Sequence, residues 1–491
     1  MSLDNLTRRS FIGQSFLLGT MGSASLLMAD PQLSLKGKPR LRFGVVSDVH
    51  LYPNHNHETF RRALEYFRAS GVDAVMICGD LTHYGFVSDL EDLAKDWQAV
   101  FPDNRAPDGR YVEKVFVTGN HEWNGHLHNN IGKKKYPNEA DRVKAILQTD
   151  LKGAWESIFD EPFEPVYMKE VKGYKFVGAH WVKEEFDSWN ENFWNVDFND
   201  HIKDFYEKHA KDFDPKLPFF HVQHPHLKNT CYGAKAWGHD NGIATQMLSA
   251  HHNAIAFSGH SHYSLTDERS IWQGSFTSIG ASSLCYSAVP NFHSDPGYEN
   301  YSGFDDGKIM PRLSTFDGRQ GMLVSVYDDV VIVSRREFMT NQPLGNDWVI
   351  PLMAESKPFE YAKRAKSQVA PRFEVGAKVK IEKGRAMSRG SRKVPKSEKN
   401  VYIVTFPAAL STAKTRAFDY EITFIGKDGK RKIRRLVSPG FHQPVGHKRA
   451  TEDVKGLFAA ESLPTVPFKV EVRACSCFGK ASSAIRGFLN K

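Results

Sequence analysis

The apolar positions of the chain form short runs that end in Gly or in polar residues, a pattern typical of strands buried on both faces. Between the first two runs, residues 58–70 place Phe60, Leu64 and Phe67 at helical spacing and end at Gly71. A strand, a helix and a second strand predict a right-handed crossover and a layered α/β sheet. The five runs are Leu41 to Val46, Ala74 to Cys78, Val115 to Val117, Phe219 to Val222 and Ala254 to Phe257.

Each of these runs is followed by side chains that carry oxygen or nitrogen donors. Because ligand sites in α/β sheets form at the carboxyl ends of the strands, we expect the donors to meet at one edge. Carboxylate, imidazole and amide groups suit hard or borderline divalent metals. Seven candidate ligands are too many for one ion and suit two ions that share a carboxylate. They are Asp48, His50, Asp80, Asn120, His224, His260 and His262.

Taken singly, each cluster also has a structural explanation. Asp and Gly favour turns, so Gly79-Asp80 alone indicates little. His221 and His226 compete with His224 for the same role. The combination of all five clusters in this order, each after an apolar run, favours a metal site.

The set D-x-H at 48–50, G-D at 79–80, G-N-H-E at 119–122, His224 and G-H-S-H at 259–262 resembles the calcineurin-like metallophosphoesterases over residues 40–340. It is also similar to the motif set of the class III cyclic-nucleotide phosphodiesterases. The resemblance implies a four-layer αββα sandwich with a dinuclear metal centre. It assigns Asp48, His50 and His262 to one metal, with Asp80 as the bridge. The ligands implied for the other metal are Asn120, His224 and His260.

The chemistry of phosphate esters explains this set of residues. Two cations roughly 3.5–4 Å apart acidify a bridging water, whose hydroxide attacks phosphorus, and they neutralise the phosphoryl oxygens. Mixed Asp, Asn and His ligation suits Mn, Fe, Zn or Co, in divalent or trivalent form. His121 is the expected proton donor to the leaving oxygen, just outside the metal ligands, with Glu122 as its orienting partner.

The C-terminal part differs sharply in charge. Residues 356–491 hold 30 Lys and Arg against 11 Asp and Glu, a net charge of +19, whereas residues 1–355 have a net charge of −11. Alternating strands, including Asp419 to Ile425, Arg431 to Val437 and Phe468 to Ala474, predict an all-β, fibronectin type III-like domain. A linker is expected at Gln342 to Asn346. The basic run 378–399 is interpreted either as a solubilising loop or as a surface for anionic envelope polymers, lipid head groups or nucleic acid, without a specific nucleic-acid motif.

The N-terminus predicts export. Thr7-Arg8-Arg9-Ser10-Phe11 fits the twin-arginine pattern, and an interrupted apolar stretch follows to Ala29. The apolar stretch is too short and interrupted for a membrane span, and five cysteines are few for a disulfide framework. We therefore divide the chain into a signal peptide at 1–29, a catalytic domain at 38–340 and a basic β-sandwich at 356–491, with the mature protein periplasmic or secreted.

The sequence thus predicts an exported, metal-dependent phosphoric ester hydrolase acting on phosphate mono- or diesters. One alternative is a pyrophosphate-bond hydrolase acting on nucleotide-linked envelope precursors. Another is an envelope-binding protein that has lost catalysis, which a missing ligand or proton donor would mark. The metal identity, the natural substrate and the oligomeric state stay open.

Overall fold

The computed structural model describes residues 37–126, 129–182, 198–233, 236–290, 298–301, 307–353, 355–390, 394–412 and 414–490. The predicted signal peptide at 1–29 lies outside these residues. None of the described helices is long and apolar enough to cross a membrane.

The strands of the described residues begin and end as follows. They are β1 (Leu41–Val46), β2 (Ala74–Cys78), β3 (Glu113–Val117), β4 (Val166–Val171), β5 (Tyr174–Ala179), β6 (Phe219–Val222), β7 (Ala254–Ser258), β8 (Ile271–Gln273), β9 (Thr277–Gly280), β10 (Gln320–Val326), β11 (Val330–Glu337), β12 (Gln342–Pro343), β13 (Trp348–Pro351), β14 (Lys380–Met387), β15 (Glu398–Phe406), β16 (Asp419–Gly426), β17 (Arg431–Val437), β18 (Val454–Ala459), β19 (Phe468–Cys475) and β20 (Ile485–Leu489).

The α-helices are mostly short and lie between the strands of the N-terminal part. They are α1 (His57–Ala69), α2 (Val87–Val100), α3 (Asn129–Lys135), α4 (Glu139–Ala145), α5 (Leu151–Phe159), α6 (His201–Lys208), α7 (Ile243–Leu248), α8 (Tyr361–Ser367) and α9 (Lys448–Thr451).

Two sheets pack face to face in the N-terminal part. One has β1, β2 and β3 parallel, with β10 and β11 added antiparallel at the side of β1. The other has β5, β6, β7 and β9 parallel, flanked by the antiparallel β4 and β8. Between the sheets, the ring of Phe43 meets those of Phe176 and Phe220 at 5.2 and 4.7 Å between centroids. Edge-on contacts of this kind stabilise a core beyond the area they bury.

Helices cover both outer faces of this pair of sheets. On the first sheet, Phe60 and Phe67 of α1 and Trp97 of α2 are buried in one apolar cluster with strand residues. On the second, Ile202 of α6 and Leu248 of α7 are buried in a separate cluster. The predicted four-layer αββα sandwich is confirmed. The strands after which donors were expected, β1, β2, β3, β6 and β7, all end at the same side of the two sheets, where their donors meet.

The C-terminal part is a β-sandwich. A three-stranded sheet, β14-β15-β18, and a four-stranded sheet, β17-β16-β19-β20, share one buried cluster that includes Val404, Phe424, Phe458 and Val470. The prediction of an all-β domain is confirmed, while its likeness to fibronectin type III stays a prediction.

Two local predictions need correction. The expected linker includes β12, which pairs with β11, and β13 then extends the same edge of the first sheet as far as Pro351. Residues 380–387 and 398–399 of the basic run 378–399, one interpretation of which is a loop, lie in the hairpin strands β14 and β15. Alternating burial along β14 explains why its exposed charged residues are compatible with a strand.

The two parts are packed together. Val289 and Tyr301 share a buried cluster with Phe418, Val437 and Phe441 of the sandwich. The side chain of Asn300 donates to the carbonyl oxygen of Val437 at 2.9 Å. The sandwich is therefore a packing partner of the N-terminal part.

Candidate metal centre

The donors predicted from sequence meet in two overlapping groups. Asp48, His50, Asp80 and His262 form the first group, and Asp80, His224 and His260 form the second. Within each group one ligand atom from every side chain lies within 4.8 Å of the others. Asp80 belongs to both, which is the arrangement that a shared carboxylate between two ions requires.

In the first group, the ligand atoms point at one another. The Nε2 atoms of His50 and His262 are 3.1 Å apart, and Nε2 of His262 is 2.9 Å from Oδ1 of Asp48. Nε2 of His50 lies 3.6 Å from Oδ2 of Asp80. Two facing imidazole nitrogens and two carboxylates need a proton or a cation between them.

The second group is built around His224. Its Nδ1 lies 2.7 Å from the carbonyl oxygen of Cys78, which only accepts a hydrogen bond, so Nδ1 carries the proton. Nε2 is therefore the atom through which His224 can bind a metal, with loss of the proton it carries as an imidazolium, and it lies 3.2 Å from Oδ2 of Asp80. Asn120 begins a 3₁₀ turn, Asn120–His126, directly after β3.

Several of these donors lack partners within the described part of the chain. Oδ1 of Asp48, Oδ1 of Asn120 and Nε2 of His224 are buried and form no hydrogen bond of good geometry, although the first and third lie 2.9 and 3.2 Å from another ligand atom. Buried polar atoms are nearly always satisfied, so three such atoms among the predicted ligands are suited to bind a cation. The residues present therefore fit a two-metal site.

The backbone of the ligand loops is held in an unusual conformation. Asp48, His50, Asp80, His260 and His262 all have φ between 46° and 69°, the left-handed region that non-glycine residues rarely adopt. Strain of this kind clusters at functional sites, where surrounding structure holds it in place.

Two glycines allow the loops to approach this closely. Gly79 has φ of 90°, and a Cβ atom there would overlap the His224 ring. A Cβ atom on Gly259 would overlap Ser47 and the Asp48 carboxylate. The glycines of the G-D and G-H-S-H motifs thus make room for the ligands that lie opposite them.

The imidazoles of the centre differ in their pKa values. Burial lowers the pKa of His50 to about 4 and that of His260 to about 3, so both are neutral and able to bind a metal. Burial also opposes a charge on His224, but the Asp80 carboxylate outweighs it and raises the pKa of His224 to about 9. For Asp48, burial is outweighed by His262, which holds the pKa of the carboxyl well below its usual range.

His121 lies at the edge of the centre, as predicted. Its Nε2 is 3.9 Å from Oδ2 of Asp80, and its backbone N–H donates to Oδ1 of Asp80 at 2.9 Å. The orienting partner predicted from sequence is wrong. Glu122 accepts from the backbone N–H groups of Thr82 and Gly119 at 2.8 and 2.6 Å, and so fixes the two loops to each other.

Sequence reasoning missed two residues beside the ligands. The carbonyl oxygen of His83 accepts a hydrogen bond from Nδ1 of His121 at 2.8 Å. Nδ1 of the His83 ring lies 3.3 Å from Nδ1 of His50. The carbonyl oxygen of Tyr286 accepts a hydrogen bond from Nδ1 of His262 at 3.1 Å. Only the position of His83, three residues after Asp80, offered a signal in the sequence.

Part of the chain matches a known protein family. Residues 41–264 match the family model described as calcineurin-like phosphoesterase, so the chain contains a calcineurin-like phosphoesterase domain. No curated protein matches the chain. Among solved structures, the chain is similar to a dimetal phosphatase from Danio rerio, with 13% identity, a TM-score of 0.38, and coverage of 64% of this chain and 100% of that one. It is also similar to a purple acid phosphatase from yellow lupin (Lupinus luteus), with 12% identity, a TM-score of 0.36, and coverage of 63% and 53%.

Proposed function

We propose that the protein is a phosphoric ester hydrolase with two metal ions, acting on phosphate mono- or diesters. Asp48, His50 and His262 would hold one ion, and Asp80 would be shared. The other ion would be held by Asn120, His224 and His260. The observation that carries the proposal is the set of buried, orphaned donor atoms on Asp48, Asn120 and His224.

The metal ions, when bound, would activate water and neutralise the phosphoryl oxygens. The chain's own residues contribute the remaining parts. Asp80 offsets the repulsion between two cations, and the strained loops fix the ligands before substrate arrives. Mn, Fe, Zn and Co all suit this mixture of nitrogen and oxygen donors.

His121 is placed to supply a proton to the leaving oxygen. Because a carbonyl oxygen only accepts, the contact with His83 requires the proton on Nδ1. Nε2 then faces the centre and, in the imidazolium form, donates its proton outward to the ester. A positioned acid of this kind typically contributes about 10²–10⁴-fold.

A hydrolysis panel on metal-reconstituted protein tests the proposal. The substrates are p-nitrophenyl phosphate, bis(p-nitrophenyl) phosphate and 2′,3′- and 3′,5′-cyclic nucleotides, each with Mn, Fe, Zn or Co. We expect metal-dependent turnover that disappears on chelation and returns when metal is restored. Absence of turnover on every ester, with two ions bound per chain, would contradict the hydrolase assignment.

We further propose that the protein is exported to the periplasm or beyond. The support is the Arg8-Arg9 pair with the apolar stretch that follows it, in a region outside the described residues. Fusing residues 1–36 to a reporter that works only after twin-arginine export tests this. Replacing both arginines with lysine should abolish export, and export of the lysine variant would contradict the proposal.

A further inference from the structure

Phe316 is a large apolar side chain left in solvent close to the metal centre. Its side chain is 64% exposed. Single exposed apolar residues are common and need no special explanation. The segment that carries Phe316 is nevertheless tightly held, which distinguishes it from an ordinary surface loop.

Residues on both sides of Phe316 are bonded to fixed partners. The backbone N–H of Ser287 donates to the carbonyl oxygen of Thr315 at 3.2 Å, and the Thr315 hydroxyl donates to the carbonyl oxygen of Ser287. On the other side, the Asp317 carboxylate contacts Nε2 of His442 at 2.8 Å and the Arg449 guanidinium. The C-terminal sandwich therefore helps to fix the position of this ring.

The Phe316 ring is connected to a metal ligand through one aromatic neighbour. The centroids of Phe316 and Tyr286 are 5.2 Å apart, and those of Tyr286 and His262 are 4.3 Å apart. Tyr286 is only half-buried. The Tyr286–Phe316 pair thus extends outward from the first metal group.

A second set of half-buried rings lies on the same side of the centre. Tyr52 stacks on His55 at 4.4 Å and contacts His83 at 5.2 Å, and His83 in turn contacts His50 at 5.2 Å. Nε2 of His55 lies 3.5 Å from Sγ of Cys285, the residue before Tyr286. One set contacts the ring of His50 and the other contacts the ring of His262, and these two ligand rings lie 5.0 Å apart. We call the two sets of rings together the aromatic face.

We propose that this aromatic face binds a planar ring of the substrate, so that the preferred phosphate esters carry a nucleobase or an aryl group. This inference rests on the proposed hydrolase function and adds a substrate class to it. The metal centre would take the phosphoryl group while Phe316 and Tyr286 stack on the ring. Because the residues on both sides of Phe316 are already held, little backbone entropy is lost on binding.

Two esters with the same leaving group isolate the contribution of the face. Bis(p-nitrophenyl) phosphate and methyl p-nitrophenyl phosphate both release nitrophenolate, but only the first keeps an aromatic ring on the remaining phosphate. Phe316→Ala should raise KM for the bis ester about 3- to 10-fold more than for the methyl ester, with similar changes in kcat. Phe488→Ala is the matched control, because Phe488 is 65% exposed on β20 of the sandwich.

A binding measurement separates ring recognition from turnover. Calorimetry on metal-loaded protein should give tighter binding for adenosine 5′-monophosphate than for ribose 5-phosphate, and Phe316→Ala should remove most of that difference. Arg449→Ala should also reduce the difference in binding between the two monophosphates, because it removes the Arg449–Asp317 contact that holds the residues beside Phe316.

The outcomes distinguish this inference from the hydrolase proposal. Equal binding of the two monophosphates by the unaltered protein would overturn the aromatic face while hydrolysis persists. Unequal monophosphate binding with equal effects of Phe316→Ala on both esters would instead assign the leaving group to the face. Failure of the unaltered, metal-loaded protein to hydrolyse either ester would instead overturn the hydrolase function.

Discussion

Two groups of polar side chains are held together in different ways. At the metal centre, buried atoms of Asp48, Asn120 and His224 have no hydrogen-bond partner. In the Glu268 cluster, which consists of Glu268, Arg335, Trp348 and Arg364, both carboxylate oxygens are satisfied. Arg335 donates to Oε1 of Glu268 at 2.8 Å, and Oε2 accepts from Trp348 at 3.1 Å and from Arg364.

The difference separates a ligand site from a structural contact. Satisfied charges can hold elements together, and here they connect β11, β13 and α8. Orphaned donors cost folding free energy unless another group binds them. We therefore expect changes at the first group to alter metal content and activity, and changes at the second to alter stability alone.

The strongest test of this contrast is Asp80→Asn. A neutral amide cannot offset two cations, so metal content should fall below two ions per chain and turnover should fall by at least about 100-fold. Metal analysis and kinetics measure both. Asp73→Asn is the control, because Asp73 is also buried, pairs with Arg110 and Lys172, and lies outside the centre. Two tightly bound ions and normal turnover in the Asp80 variant would contradict the bridging role.

His121→Ala should affect catalysis without affecting metal content. We expect about 10²–10⁴-fold slower turnover for alkyl or nucleoside leaving groups, and a smaller loss for nitrophenolate, which needs little protonation. The quantity that tests the role is the ratio between the losses of turnover measured for the two kinds of leaving group. If the two losses are equal, or if metal is lost, His121 does not act as the proton donor.

The metal ligands can be predicted from the sequence more fully than the residues that contact and position them. The apolar runs at β1, β2 and β6 predict the strands to the residue, and the motifs follow directly. The His83 contact uses a backbone carbonyl, which every residue type carries, so only the position of His83 three residues after Asp80 marks it. The Glu268 cluster draws on residues up to 96 positions apart, and local patterns carry no information about such pairings.

Glu268→Gln should lower stability without changing metal content. Burial opposes the charge, but Arg335 and Arg364 outweigh it and lower the pKa of Glu268 to about 2. The carboxylate therefore stabilises the fold above its unfolded pKa, near 4.5, and this contribution is lost as the pH falls towards 2.

With a quarter of its side chain exposed, Glu268 should contribute about 1–3 kcal/mol at neutral pH. Urea unfolding of both proteins at pH 7 and pH 3 measures the difference, which should shrink at the lower pH. Glu58→Gln is the control, since the Glu58–Arg62 pair is exposed. A difference that is absent at pH 7, or that grows on acidification, would contradict the assigned role.

The smallest expected effect concerns the basic sandwich, whose net charge of +19 contrasts with the acidic part that carries the metal centre. Deletion of residues 356–491 is a poor test of surface binding, because the sandwich packs against Val289 and Tyr301. Single charge removals on the exposed β16–β17 hairpin avoid this difficulty.

If the sandwich binds anionic surfaces, Lys432→Gln should weaken binding to phosphatidylglycerol vesicles about fivefold, at about 1 kcal/mol per charge. Binding should also fade as salt is raised, because exposed charges are screened beyond about 8–10 Å. Lys152→Gln in the N-terminal part should leave binding unchanged. If neither added salt nor Lys432→Gln changes vesicle binding, the charge contrast between the two parts has no role in surface attachment.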